Sequence, residues 1–307
     1  MPASDGVLNI HKPAGLTSHD MVARVRRALG TRRVGHAGTL DPDATGVLVV
    51  AVGQATRLLP FLPIEPKVYV ARAVFGITTT TEDASGAVIE ERDAGRVCEA
   101  DLLAVLPRFT GAISQIPPMV SAVHHEGRRL YELAREGKTV ERAAREVTIH
   151  ALAASDFVAG PRVEATLHVT CGGGTYVRTL CADIGTALGV GGHMKTLVRE
   201  TVGRFRLADA FPLADLTPET ARARMLPLES VLDLPTVTVN DADAERLGRG
   251  QSVAAPEDVP TAETIALLHQ GRLRALARPD ESAGTLLPFK VFTAEDAADD
   301  ENPAPRP

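Results

Sequence analysis

Tryptophan is absent from this chain of 307 residues and tyrosine occurs only three times, so few side chains can stack on a base or a ring. Each Tyr or Phe beside a polar motif therefore carries more weight. Cysteine is scarce as well. Cys98, Cys171 and Cys181 are an odd set with no CxxC pair and no histidine at finger spacing, which argues against a disulfide framework and a structural zinc. Long apolar runs are missing: Val47 to Val52 is far short of the ~20 residues of a membrane helix. Met1 to Ile10 lacks both the basic start and the apolar stretch of a leader. The expectation is a soluble, cytoplasmic protein with no membrane partner.

What is present supports a folded chain. Hydrophobic residues at 44% can bury a sizeable core, and the length suits one large domain plus a smaller one. The formal charge of −6 is unevenly spread: Val291 to Pro307 holds five acids and one Arg. Residues 1–60 carry seven Lys or Arg against four Asp, and 161–210 carry six against four acids. Such local excess is compatible with a polyanion partner, but on charge alone ordinary solvated faces are the better explanation.

Gly6 to Lys12 alternates like a short strand and stops at Pro13. Thr17 or Ser18 then caps a helix whose Met21, Val22, Val25 and Leu29 share one face. VLVVAV at 47–52 reads as a strand buried on both faces, and Lys67 to Gly76 as another. Glu99 to Phe109 is predicted helical, and Val120 to Val147 is charged enough to be an exposed excursion. Arg162 to Cys171 alternates cleanly, a half-buried antiparallel strand, and Gly172 to Gly174 turn it into a helix. Beyond Leu232 the chain reads as short strands at 236–239, 264–269, 273–277 and 286–292. The acidic stretch after Thr293 reads as disordered.

The loop GHAGTLDPDATG at 35–46 is the most unusual stretch. Pro42 biases Asp41 to an extended conformation, so its carboxylate is held stiffly enough to act as nucleophile, acid or base. A turn in which Asp41 merely caps is an even alternative. Asp41-x-Asp43-x-Thr45-Gly46 also begins like a calcium loop, but Val52 stands where the twelfth-position Glu belongs. As a DxDxT phosphatase motif it should follow a strand, whereas VLVVAV comes after it. Gly172-Gly173-Gly174-Thr175 could present amides to an anion, and it matches no nucleotide-binding pattern. Arg178 in the first turn of the following helix opposes the helix dipole, a cost that a nearby carboxylate or phosphate would offset. Lys67, Tyr69 and Ala71 share a strand face, where a lone Tyr most often serves packing.

Together these segments closely resemble the bacterial tRNA pseudouridine-55 synthase family. The resemblance rests on Lys12-Pro13-Ala14-Gly15 with Thr17-Ser18, on GHAGTLDPDATGVL, and on Lys67-x-Tyr69 leading to Phe75-Gly76 and Asp83. It continues through Gln115-x-Pro117-Pro118-x-x-Ser121, Gly174-Thr175-Tyr176-Val177-Arg178 and His193-Met194-x-x-Leu197-x-Arg199. This ordered set spans roughly residues 6 to 210.

The resemblance implies an α+β fold, a mixed and mostly antiparallel sheet flanked by helices, with a small β-rich C-terminal domain. It divides the chain into a catalytic domain at 1–232, an RNA-clamping excursion at 119–147, a PUA-like RNA-binding domain at 233–293 and a tail at 294–307. It implies isomerisation of uridine 55 in the T loop of tRNA by a monomer, without metal or cofactor and with possible assistance to tRNA folding. Asp41 would be the catalytic aspartate, Tyr69 would lie over the base, Arg178 would pair with Asp41, and Leu197 would line an apolar pocket. His36 and Asp20 would lie near flipped nucleotides. Lys67, Gly38, Thr39 and Tyr176 would contact substrate, and Arg128 and Arg129 would contact phosphates. Two other classes compete: a metal-dependent phosphatase and a noncatalytic RNA-binding or folding module.

Overall fold

The computed structural model describes residues 5–293 other than 122, 126 and 139, so the predicted tail at 294–307 lies outside the described residues. The main sheet runs in the order Phe211–Pro212, Gly6–Lys12, Thr45–Val52, Gly192–Val202, Lys67–Phe75, Val163–Cys171, Arg145–Val158, Gly111–Gln115. Val34–Ala37 adds to Thr45–Val52, and Phe205–Arg206 to Gly192–Val202. Gly6–Lys12 pairs parallel with Phe211–Pro212, as does Gly192–Val202 with Thr45–Val52. The other described pairings in this sheet are antiparallel. The fold is α+β with a mixed, mostly antiparallel sheet, as the family resemblance implied.

Hydrophobic patterning decides which strands lie deepest. Val163, Ala165, Leu167, Val169 and Cys171 are buried on alternate positions, and they pack with Leu180, Cys181 and Ile184 of the helix Val177–Ala187. In the unbroken apolar run of Thr45–Val52, Val47, Val49 and Ala51 enter one buried cluster while Leu48, Val50 and Val52 enter another. Gly6–Lys12 departs from its half-exposed pattern for the same reason. Val7 joins the first of those clusters, Leu8 and Ile10 join the second, and Lys12 is buried too. Each Val, Leu or Ile so enclosed stabilises the fold by about 1.5–3 kcal/mol.

Thr17 is the helix cap. Its hydroxyl accepts from the Asp20 N–H at 3.0 Å while the Asp20 carboxylate accepts from the Thr17 N–H at 2.8 Å, opening the helix Ser18–Leu29. The helix predicted over 99–109 ends at Val105 and continues as a 3-10 turn, Leu106–Phe109, in which Pro107 has no N–H to extend it. The charged excursion is not purely solvent-facing. It forms a hairpin, His124–His125 with Arg128–Arg129, and a short helix, Leu130–Arg135, that buries Leu130 and Leu133.

The C-terminal sheet runs Thr236–Thr238, Ile265–His269, Arg272–Asp280, Thr285–Val291, Val253–Ala254. It also carries a helix that the strand-and-turn reading missed, Asp241–Gly248, capped by Asn240. One face holds its own core around Leu247, Ile265 and Leu267. From the other face Ala266, Leu273 and Leu276, together with Phe292, join Val47, Val49, Ala51 and Leu58 of the first unit in one buried cluster. Arg57 reinforces that seam, donating to the Val291 carbonyl at 2.7 Å with its guanidinium over the Phe292 ring. Among the described residues no helix is long and apolar enough to cross a membrane.

Candidate active site

The loop between Val34–Ala37 and Thr45–Val52 is fixed from both sides of Asp41. Arg199, 1% exposed, donates to the carbonyls of Gly38 at 3.0 Å, Thr39 at 3.3 Å and Val47 at 2.9 Å. The Ser18 hydroxyl donates to the Leu40 carbonyl and accepts from the Leu40 N–H. Lys12, fully buried, donates to the carbonyls of Pro13 and Pro42 at 2.8 Å and of Ala44 at 2.7 Å. Enclosure without a hydrogen-bonded carboxylate pushes the Lys12 ammonium down to about 8, although Asp43 and Asp41 oppose the shift. Carbonyl dipoles thus solvate two buried cations, and a loop with no regular structure becomes stiff.

Gly46 makes the close approach possible. At φ +111° a Cβ there would lie 2.2 Å from the Arg199 carbonyl oxygen, so only glycine lets the strand bearing Arg199 dock beside the loop.

Arg178 stands in the first turn of Val177–Ala187 and is 3% exposed. Its Nη2 donates to Asp41 Oδ1 at 3.2 Å and to the Val120 carbonyl at 2.7 Å, and its Nη1 lies 3.9 Å from Asp83 Oδ2. Two carboxylates therefore offset the unfavourable helix dipole. The Asp83 carboxylate is itself oriented by the Thr81 hydroxyl at 2.7 Å and by Ser85. Burial raises the Asp41 carboxyl above its usual range and the Arg178 guanidinium opposes the shift without cancelling it.

Asp41 and Arg178 open on a cavity of about 250 Å³, and Asp41 is the one carboxylate lining it among the described residues. Tyr69, Leu197, Lys67, Gly38, Thr39 and Tyr176 line it too. Tyr69 is 8% exposed, and burial raises its phenol. A second cavity of about 430 Å³ meets the first at Asp41, Arg178, Met194 and Leu197.

Four of the residues named from the sequence are not gathered there. Asp20 is engaged in the helix cap, its carboxylate held by Thr17. His36 sits on Val34–Ala37 with its ring edge-on to His19, outside the cavity lining. Arg128 is ion-paired with Glu136 on the exposed excursion, so a phosphate would have to displace that carboxylate. The side chain of Arg129 lies outside what is described. The sequence showed Lys12, Asp83 and Arg199 only as motif letters without a task, and offered Ser18 as an alternative helix cap, whereas it holds Leu40. A lysine closing an apolar strand just before Pro13 was the available signal for the first of them.

Residues 26–177 match the TruB family pseudouridylate synthase N-terminal domain, and residues 178–233 match the tRNA pseudouridylate synthase B C-terminal domain. A tRNA pseudouridine synthase B from Symbiobacterium thermophilum is 50% identical over 251 residues, covering 81% of this chain and 83% of its own. This chain belongs to the TruB pseudouridylate synthase family. A tRNA pseudouridine synthase B from Thermobifida fusca is 44% identical over 296 residues, 94% of this chain and 99% of the relative. Among solved structures, a chain of a Cbf5-Nop10-Gar1 complex superposes with a TM-score of 0.68 at 27% identity, covering 95% of this chain and 86% of that one.

Proposed function

We propose that this protein isomerises a uridine of tRNA, position 55 in the T loop, to pseudouridine. In that reaction the N1–C1′ bond breaks, the uracil turns, and a C5–C1′ bond forms. The proton on C5 leaves and N1 gains one, so nothing is oxidised or reduced. The observation that carries the reading is Asp41, the one carboxylate on the cavity wall among the described residues, hydrogen-bonded to buried Arg178. Membership of the TruB family supports the same reaction, and the relatives' printed names supply tRNA as substrate.

On this reading Asp41 acts at the reacting nucleotide and Arg178 keeps it ionised against its own burial. Tyr69 lies over the base and takes part in proton transfer at C5, and Leu197 gives the uracil an apolar contact. A uridine stacked in a loop cannot present its glycosidic bond to residues lining a cavity, so the target is flipped out. The segment 119–147 closes over the RNA, and residues 233–293 add a second RNA-binding surface. Incubating the protein with an unmodified tRNA transcript and mapping pseudouridine tests this directly. A single modified position in the T loop is expected, and none in a transcript carrying cytidine there. A folded tRNA that binds and stays unmodified would overturn the proposal.

A further inference from the structure

The glycine turn before Val177–Ala187 already holds an anion, and that anion is a side chain of this protein. The Gly173 N–H donates to Glu65 Oε1 at 2.8 Å. The same carboxylate oxygen lies 4.0 Å from Lys67 Nζ, too far for a hydrogen bond. The Lys67 side chain is only 10% exposed, lines the cavity, and makes no hydrogen bond among the described residues. Its nitrogen lies 3.8 Å from where a Gly173 Cβ would stand, and that Cβ would press to 2.4 Å from Glu65 Oε1. A bare backbone amide and an underused ammonium therefore converge on one point beside the cavity. Glu65 reaches that point from outside with its side chain 55% exposed.

We infer that Gly173 and Lys67 form a subsite for a phosphodiester group of the substrate RNA, and that Glu65 is a removable stand-in which the phosphate displaces. The inference rests on the proposed function and goes beyond it by naming a backbone contact outside the reacting nucleotide. The chemistry favours exchange. A phosphate oxygen seated at the Gly173 amide can approach Lys67 more closely than Glu65 does, and charge-assisted contacts of that kind are about twice as strong as neutral ones. Glu65 is exposed enough to swing into water once displaced. Until then it covers a buried ammonium that would otherwise lack a counter-charge.

Glu65→Gln tests this without disturbing the turn, because the amide oxygen can still accept from the Gly173 N–H. Removing the competing charge is expected to lower KM for tRNA about threefold to tenfold with kcat little changed. The slope of log affinity against log salt is expected to steepen by about 0.7, since one more counterion is released on balance. In a Lys67→Met background, checked for folding by its thermal melt, the gain from Glu65→Gln should fall below half. An equal gain in both backgrounds would mean that Glu65 merely repels RNA at long range, and an unchanged or raised KM would mean that it only braces the turn. Either result overturns the subsite. Binding is read separately by filter retention of labelled tRNA, so a protein that binds but never isomerises would overturn the proposed function and leave the subsite still under test.

Discussion

The Nη2 of Arg178 donates to Oδ1 of Asp41 at 3.2 Å, joining two residues 137 positions apart in the chain. Neither has freedom to drift. Arg178 is anchored by the Val120 carbonyl, and Asp41 sits on a loop whose flanking carbonyls are bound by Arg199, Ser18 and Lys12. Such mutual fixation is what positions a reactive carboxylate within the narrow tolerance catalysis needs.

The acid limb of the pH profile should report this pair. On the proposed function Asp41 works ionised, and burial raises its folded-state pKa, so kcat/KM is expected to fall on acidification at a pH above the ordinary carboxylate value of 3.8. Arg178 lowers that pKa and Asp83 raises it. Arg178→Ala should therefore shift the limb to higher pH and Asp83→Asn to lower pH. Profiles of the three proteins on one tRNA substrate check the signs.

Lys12 should make the fold sensitive to alkaline pH in an unusual direction. Its pKa is depressed from 10.5 to about 8 in the folded state, so the folded chain binds fewer protons than the unfolded chain between those values. Stability is then expected to rise as pH increases from about 8 toward 10.5, by up to about 3 kcal/mol from this group. Lys12→Met should lose that rise. Chemical denaturation of both proteins at pH 7.5 and 9.5 measures the difference.

Much of this was legible in the sequence, and the omissions share a cause. The clean alternation of Val163 to Cys171 and the apolar run at 47–52 fixed their strands, because period and composition are local properties. The capping box at Thr17 and Asp20 is local too. It occupies one oxygen of the exposed Asp20 carboxylate and leaves that residue outside the cavity lining. Val7 on one face of Gly6–Lys12 shares its cluster with Ala266, Leu273 and Leu276 of a sheet more than 200 residues away, which no window around the strand reveals. The loop-holding tasks of Lys12 and Arg199 are likewise products of tertiary contact, as is the convergence of Glu65 on Gly173.

Removing the residues after Leu232 should do more than weaken RNA binding. Truncation would uncover Val47, Val49, Ala51 and Leu58, which share a cluster with Ala266, Leu273, Leu276 and Phe292. Exposed apolar surface of that kind promotes aggregation. A lowered melting temperature and concentration-dependent light scattering are expected for residues 1–232 alone, and a melt matching the full chain would show the seam to be dispensable.

Asp41→Asn, compared with Asp43→Asn, tests the central claim most directly. Asp43 is exposed and does not line the smaller cavity, so it serves as a charge-matched control on the same loop. Pseudouridine formation on an unmodified tRNA transcript is expected to vanish in Asp41→Asn while the Kd for tRNA stays within a few fold. Asp43→Asn should remain active. Full turnover by Asp41→Asn, or equal collapse of both variants with folding intact, would contradict the assignment of Asp41 as the catalytic carboxylate.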